Sequence, residues 1–242
     1  MATRNPSKSE RAAALLAEQE RGERRRRLAV ILGVVAVLAL IAGLTWYAMS
    51  KDTSGQTTDA VPGNVKDYSV TVGDANAPTE LTFYEDPQCP VCAQFEAAVG
   101  AQLKTAVDAG KVKVSYRMVS FLDKASANEY SSRAANAAYA VADQVGADGF
   151  YAFHELLYAN QPAEGTAGPE NAQLIDWAVQ AGADKAKISP LINDKTFEQY
   201  VVNATDAMSK NNVTGTPTVF INGKKVDGGP QDAVNAVLEV IK

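Results

Sequence analysis

The chain has 242 residues, 46% of them apolar and 7% aromatic, which suffices to bury one substantial core and a second small one and excludes a disordered chain. Its net charge of −5 is unevenly spread: residues 1–50 hold eight Lys/Arg against four Asp/Glu, a balance of +4 that leaves −9 for the remainder. A segment that acidic has no electrostatic footprint for nucleic acid.

LAVILGVVAVLALIAGLTWYAM, Leu28 to Met49, carries no charged side chain. At ~1.5 Å rise per residue it is long enough to cross a hydrocarbon layer of roughly 30 Å as a helix. A cleaved signal peptide fits less well, because the preceding 27 residues mix acids with bases and TWYAMSKD lacks a small-x-small cleavage site. A single transmembrane helix over 28–49 is therefore expected. Arg24 to Arg27 abut its start while only Lys51 lies just beyond its end, so segment 1–27 is expected in the cytoplasm, where the arginines also meet anionic membrane lipid, and the rest of the chain outside. Trp46 and Tyr47 fall where amphipathic rings favour the lipid–water interface.

Residues 50–64, polar and punctuated by Pro62 and Gly63, read as a linker. VKDYSVTVG, residues 65–73, alternates as a strand does, and after the turn GDANAP a second strand, TELTFYE, puts Leu81 and Phe83 on one face. A helix follows from Cys89 with Pro90 at its first position and Gly110 as its stop. Lys111 to Leu122 is a strand, so the order strand, helix, strand makes two parallel neighbours.

A long helical stretch begins at SANEYSSRAANAAYAVADQVG and is expected to continue through FYAFHELLYANQ. GPENAQLIDWAVQAG gives another helix, and Thr196 to Lys210 a further one. Strand signals return at Thr218 to Ile221 and Lys224 to Asp227, flanking Asn222-Gly223, a pair suited to a two-residue hairpin turn. An amphipathic helix, PQDAVNAVLEVIK, ends the sequence.

The cysteines, Cys89 and Cys92, lie together in DPQCPVCAQF. A structural zinc site needs about four ligands, and two cysteines with the distant His154 are too few, so no metal is expected. A purely structural disulfide would close too short a loop to brace much of the fold. Packed, inert thiols fit poorly with a helix start, which places Cys89 at an exposed turn. A reactive pair remains: unpaired N–H groups and the helix dipole stabilise the Cys89 thiolate, and Cys92, one turn on, is the resolving partner. No cofactor is needed, because the electrons stay on the two sulfurs.

DPQCPVCAQF after a strand, with VTGTPTVFINGKKVDG near the end, resembles the thioredoxin superfamily; the intervening helices make the chain similar to the DsbA family, and the N-terminal apolar run to its membrane-anchored Gram-positive members. The resemblance implies an α/β thioredoxin fold over 65–122 and 213–242 with an inserted helical domain at 123–212. It implies a cis Thr216-Pro217 peptide facing the cysteines, with Thr216 and Pro217 binding extended substrate. It also implies a dithiol oxidase acting on reduced exported polypeptides and reoxidised by a quinone-linked membrane partner of the DsbB or VKOR-like kind. The pair between the cysteines, Pro90 and Val91, tunes the thiolate; neither side chain donates a hydrogen bond to it, so a milder oxidant is expected. A reductase or isomerase using the same pair, and a peptide-binding chaperone module, are the alternatives. Many relatives carry a buried acid six residues before the first cysteine, where this chain has Phe83. Glu85 and Asp86 are read as solvated turn acids, with proton carriers for Cys92 as the alternative, and His154 as a packed or capping side chain, with a ligand or proton shuttle as the alternative.

Overall fold

The computed structural model describes residues 32–47, 53 and 55–242. Segment 1–27, the ends of the apolar run at 28–31 and 48–49, and part of the linker lie outside the described residues. The chain divides into two units, Met1–Thr53 and Ser54–Lys242.

In the first unit a helix, α1, covers 32–47. Its apolar side chains are exposed all round, Leu44 at 68% and Trp46 at 77%. Among the described residues no helix is long and apolar enough to cross a membrane, and 32–47 alone falls short of the ~20 residues a span takes.

The second unit is built on a mixed five-stranded sheet of order β1-β3-β2-β4-β5. β2 (Thr79–Glu85) and β3 (Val112–Met118) run parallel, joined by the helix α2 (Pro90–Asp108). β1 (Val70–Val72) is antiparallel to β3, and β4 (Thr218–Ile221) is antiparallel to β2 and to β5 (Lys224–Lys225). β2 is paired on both sides, so its lower half is buried on both faces. Phe83 stands opposite Tyr116 on β3, and its ring meets those of Phe95 and Tyr116 edge-on at 5.1 and 5.6 Å.

Between β3 and β4 run α3 (Tyr130–Val145), α4 (Ala147–Ala159), α5 (Asn171–Gln180), α6 (Lys185–Asn193) and α7 (Glu198–Lys210). α3 is buried over most of its length, and its alanines at 134, 135, 137, 138, 140 and 142 let neighbouring helices approach closely. Sheet and inserted helices share one apolar core, which takes in Leu81, Phe95, Tyr139, Phe153 and Trp177. The last helix, α8 (Pro230–Val240), packs against α2.

The structure corrects several expected elements, and β3 ends at Met118 rather than Leu122. The first strand is only Val70–Val72, because Asp67 and Tyr68 adopt positive φ angles of 48° and 62° and leave the extended region. The long helix is two: Gly146, at φ 84° and ψ −163°, ends α3 and begins α4. α6 has no counterpart in the sequence reading, where the proline in KAKISPLIN hides it. Pro190 sits inside this helix, which Asp184 caps by accepting from the Lys187 N–H. The second hairpin strand stops at Lys225, while Asn222 and Gly223 have the two positive φ angles, 49° and 78°, that a type I′ turn requires.

Candidate active site

Cys89 is the N-cap of α2, with extended backbone at φ −74° and ψ 114°, and Pro90 opens the helix. Proline suits this position because its missing N–H would have no partner there and its ring presets φ. The Cys92 N–H bonds to the Cys89 carbonyl at 3.0 Å, closing the first turn. Both cysteines are free thiols. Cys89 is 5% exposed and Cys92 0%, so the turn expected to be open is covered. Pro90 beside it is exposed and Val91 half-buried.

The cover comes from the segment before β4. Thr216-Pro217 is a cis peptide, and the Cys89 thiol donates to the Thr216 carbonyl over 3.3 Å. The resemblance placed these two residues opposite the cysteines, and the antiparallel pairing of β4 with β2 brings them there.

As an anion the Cys89 sulfur gains more than it loses. Its pKa falls to about 6, first because the Cys92 thiol donates to it; burial opposes the fall, and hydrogen bonds from Thr216 and from the Cys92 and Val91 N–H groups add to it. The backbone of the helix start contributes as sequence reasoning anticipated, yet the neighbouring thiol is the larger cause. Cys92 is driven the opposite way, well above the ordinary thiol range, by burial, by its bond to Cys89 and by the charge of Glu85. One sulfur is thus a ready thiolate and the other a persistent thiol.

Glu85 and Asp86 are not solvated turn acids; both are 0% exposed. Asp86 accepts from the Gln88 N–H at 2.8 Å, the Leu122 N–H at 2.7 Å and the Ser131 hydroxyl at 2.7 Å. It thereby ties the segment before Cys89 to the end of β3 and to α3. Burial raises its pKa to about 6 against these bonds. Gln161 donates to the carbonyls of Pro87 and Cys89 at 3.0 and 2.9 Å, and Gln88 donates to those of Ala163 and Thr166. The loop after α4 is therefore bound to the cysteine segment from both sides.

Glu85 ends β2 with its carboxyl facing His154 of α4, Nε2 to Oε2 2.8 Å. Burial lifts its pKa to about 8, eased by a hydrogen bond with Glu96 and reinforced by the charge of Cys89. His154, 1% exposed, is pushed below its usual range by burial. It is packed, as the sequence suggested, but with acidic partners the sequence reading did not assign. Two signals were available. Alternation along β2 carries the face of Leu81 and Phe83 on to Glu85, and Glu96 lies four residues after Cys92, on the same side of α2.

Residues 66–239 match the Thioredoxin family model. The serine/threonine-protein kinase PknE of Mycobacterium tuberculosis is 32% identical over 169 residues, 67% of this chain and 30% of the kinase; the chain thus spans less than a third of the length of that curated relative. Disulfide bond formation protein D of Bacillus subtilis is 29% identical over 175 residues, 71% of this chain and 76% of that protein. Among solved structures, reduced DsbA from M. tuberculosis superposes with a TM-score of 0.61 at 35% identity, covering 72% of this chain and 92% of that one.

Proposed function

This chain belongs to the thioredoxin family and is DsbA-like within it, and from that premise we propose that it is an extracytoplasmic, membrane-tethered dithiol oxidase that forms disulfides in exported proteins. The observation that carries the reading is the inequality of the two sulfurs: Cys89 is held as a thiolate at neutral pH and Cys92 as a thiol. A protein that stabilises its own reduced pair in this way is driven to take electrons from a substrate.

In the oxidised protein a substrate thiolate attacks the Cys89 sulfur, the Cys89–Cys92 bond breaks, and Cys92 leaves and takes up a proton. The substrate's second thiolate then attacks the substrate sulfur of the mixed disulfide. Cys89 departs as the thiolate that Cys92, Thr216 and the helix N–H groups stabilise. Two electrons have moved to the cysteine pair, and a quinone-linked membrane oxidant of the DsbB or VKOR-like kind removes them. Thr216 and Pro217, beside the reacting sulfur, bind the extended substrate.

Residues 28–49 form the tether, with Arg24 to Arg27 holding segment 1–27 at the cytoplasmic face against anionic lipid. Export suits an oxidase, since disulfides persist outside the cytoplasm. Val91 offers no side-chain donor to the thiolate, which favours a milder oxidant and keeps an isomerase or reductase as the second reading.

The deciding experiment equilibrates the protein with glutathione buffers and mixes its oxidised form with a reduced dithiol peptide. The oxidase reading expects a potential well above about −270 mV and stoichiometric peptide oxidation that Cys89→Ser abolishes. A thioredoxin-like potential, or a peptide left reduced, would overturn it.

A further inference from the structure

Glu85 at the end of β2, Glu96 on α2 and His154 on α4 converge beneath the first turns of α2, and one donor atom of each lies within 4.8 Å of the other two. This is an unusual thing to bury. Glu85 and His154 are 0% and 1% exposed, and of the lysines, arginines and histidines among the described residues only His154 pairs with either acid. Two buried carboxylate oxygens, Glu85 Oε1 and Glu96 Oε1, receive no hydrogen bond from any group outside this acid pair. Charged carboxylates only accept, so the two acids satisfy each other only by sharing a proton. An oxygen left without a partner there costs about 1–3 kcal/mol, a cost that either a shared proton or a cation between the acids relieves.

A path to that space exists. A cleft of about 390 Å³ opens between α2 and α4, lined by Glu96, His154, Glu155, Tyr151 and Tyr158. Around the imidazole stand the rings of Tyr116 at 4.6 Å, Tyr158 at 4.8 Å and Phe150 at 5.8 Å. These make a low-dielectric wall that strengthens any bond to a cation inside.

We propose that Glu85, Glu96 and His154 form a binding site for a divalent cation of the zinc class, with its remaining position open to the cleft. The donor set is the reason for the class. One imidazole with two carboxylates suits zinc and its first-row neighbours, whereas calcium and magnesium take oxygen alone. Three protein ligands with an open fourth position form a regular arrangement for zinc at bond lengths of about 2.0–2.2 Å. Donors now up to 4.8 Å apart draw in to about 3.5 Å around such an ion, a shift within reach of side-chain rotation. Whatever protons the two carboxyls hold leave to solvent when the cation enters, and two carboxylates with one divalent ion form a neutral buried unit. Neither cysteine sulfur belongs to the donor set, so the site stands independently of the redox reading.

The test uses the full chain with its cysteine pair oxidised, so that no thiol competes. Titration with Co²⁺ is expected to give one saturating equivalent with the intense visible absorption of a low-coordinate ion, displaced by Zn²⁺ and indifferent to Ca²⁺. Glu96→Gln, which keeps the side chain's size, and His154→Ala are each expected to weaken binding about 100-fold or more. Glu155→Gln, at the cleft surface, is expected to leave it unchanged. Absence of saturable binding to the wild type, or affinity unaltered in Glu96→Gln, would overturn the assignment. So would a loss confined to Glu155→Gln, which would mark a surface carboxylate as the ligand.

Discussion

Cys89 donates its thiol hydrogen to the carbonyl oxygen of Thr216 across 3.3 Å, although 127 positions separate the two in the chain. The contact exists because β2, which delivers Cys89, is paired antiparallel with β4, which follows Pro217. Sheet register thus sets the surroundings of the reactive sulfur.

With a pKa of about 6, Cys89 holds about ten thiolates for every thiol at pH 7. Its alkylation by iodoacetamide in the reduced protein is expected to rise through pH 6 and level off above pH 7. Since the Cys92 thiol is the largest cause of the depression, Cys92→Ala is expected to move the midpoint up by about one unit or more. A midpoint that stays near 6 in the variant would assign the effect to Thr216 and the helix terminus instead.

The same shift has a stability signature. The folded-state value lies below the ordinary value of 9.0, so the stabilisation is fully present above about pH 9 and is lost as pH falls through about 6. Oxidised protein has no such group. The stability of the reduced form relative to the oxidised form is therefore expected to shrink as pH drops from 9 to 6, as paired denaturant titrations would reveal.

Thr216→Val removes a hydroxyl while keeping the side chain's size and the backbone carbonyl. The Thr216 hydrogen bond ranks behind that of Cys92 in lowering the Cys89 value. The alkylation midpoint is accordingly expected to rise by a fraction of a unit, less than in Cys92→Ala, with thermal stability little changed.

Asp86→Ala strips acceptors from two backbone N–H groups and the Ser131 hydroxyl, all bonded within 2.8 Å. Leaving buried donors unpaired is costly, and a loss of about 2–4 kcal/mol is expected. For a domain of this size that lowers Tm by roughly 4–16 °C.

Gly146 occupies a backbone conformation, φ 84° with ψ −163°, that is close to glycine-only. Nothing lies within 4 Å of where a Cβ would stand, so Gly146→Ala isolates backbone strain from crowding. A destabilisation of about 1–3 kcal/mol is expected, with peptide oxidation per folded molecule unchanged.

Local pattern carried much of this protein. Alternation in TELTFYE marks β2 to the residue, and Pro90 with Gly110 brackets α2 within two residues of its end, because strands and helix ends are set by neighbours in sequence. Asn222-Gly223 marks its turn for the same reason. The thiol pair and the segment opposite it were legible as motifs. Burial of Glu85 and Asp86, the meeting of Glu85 with Glu96 and His154, and the thiol that outweighs the helix start in lowering Cys89 were not. Each depends on what a second or third element brings to the same place: α4 to the end of β2, α3 and the end of β3 to Asp86, β4 to the sulfur. A charged side chain is expected at the surface from its own chemistry. Only packing decides whether water or another chain segment surrounds it, and desolvation then resets its proton affinity.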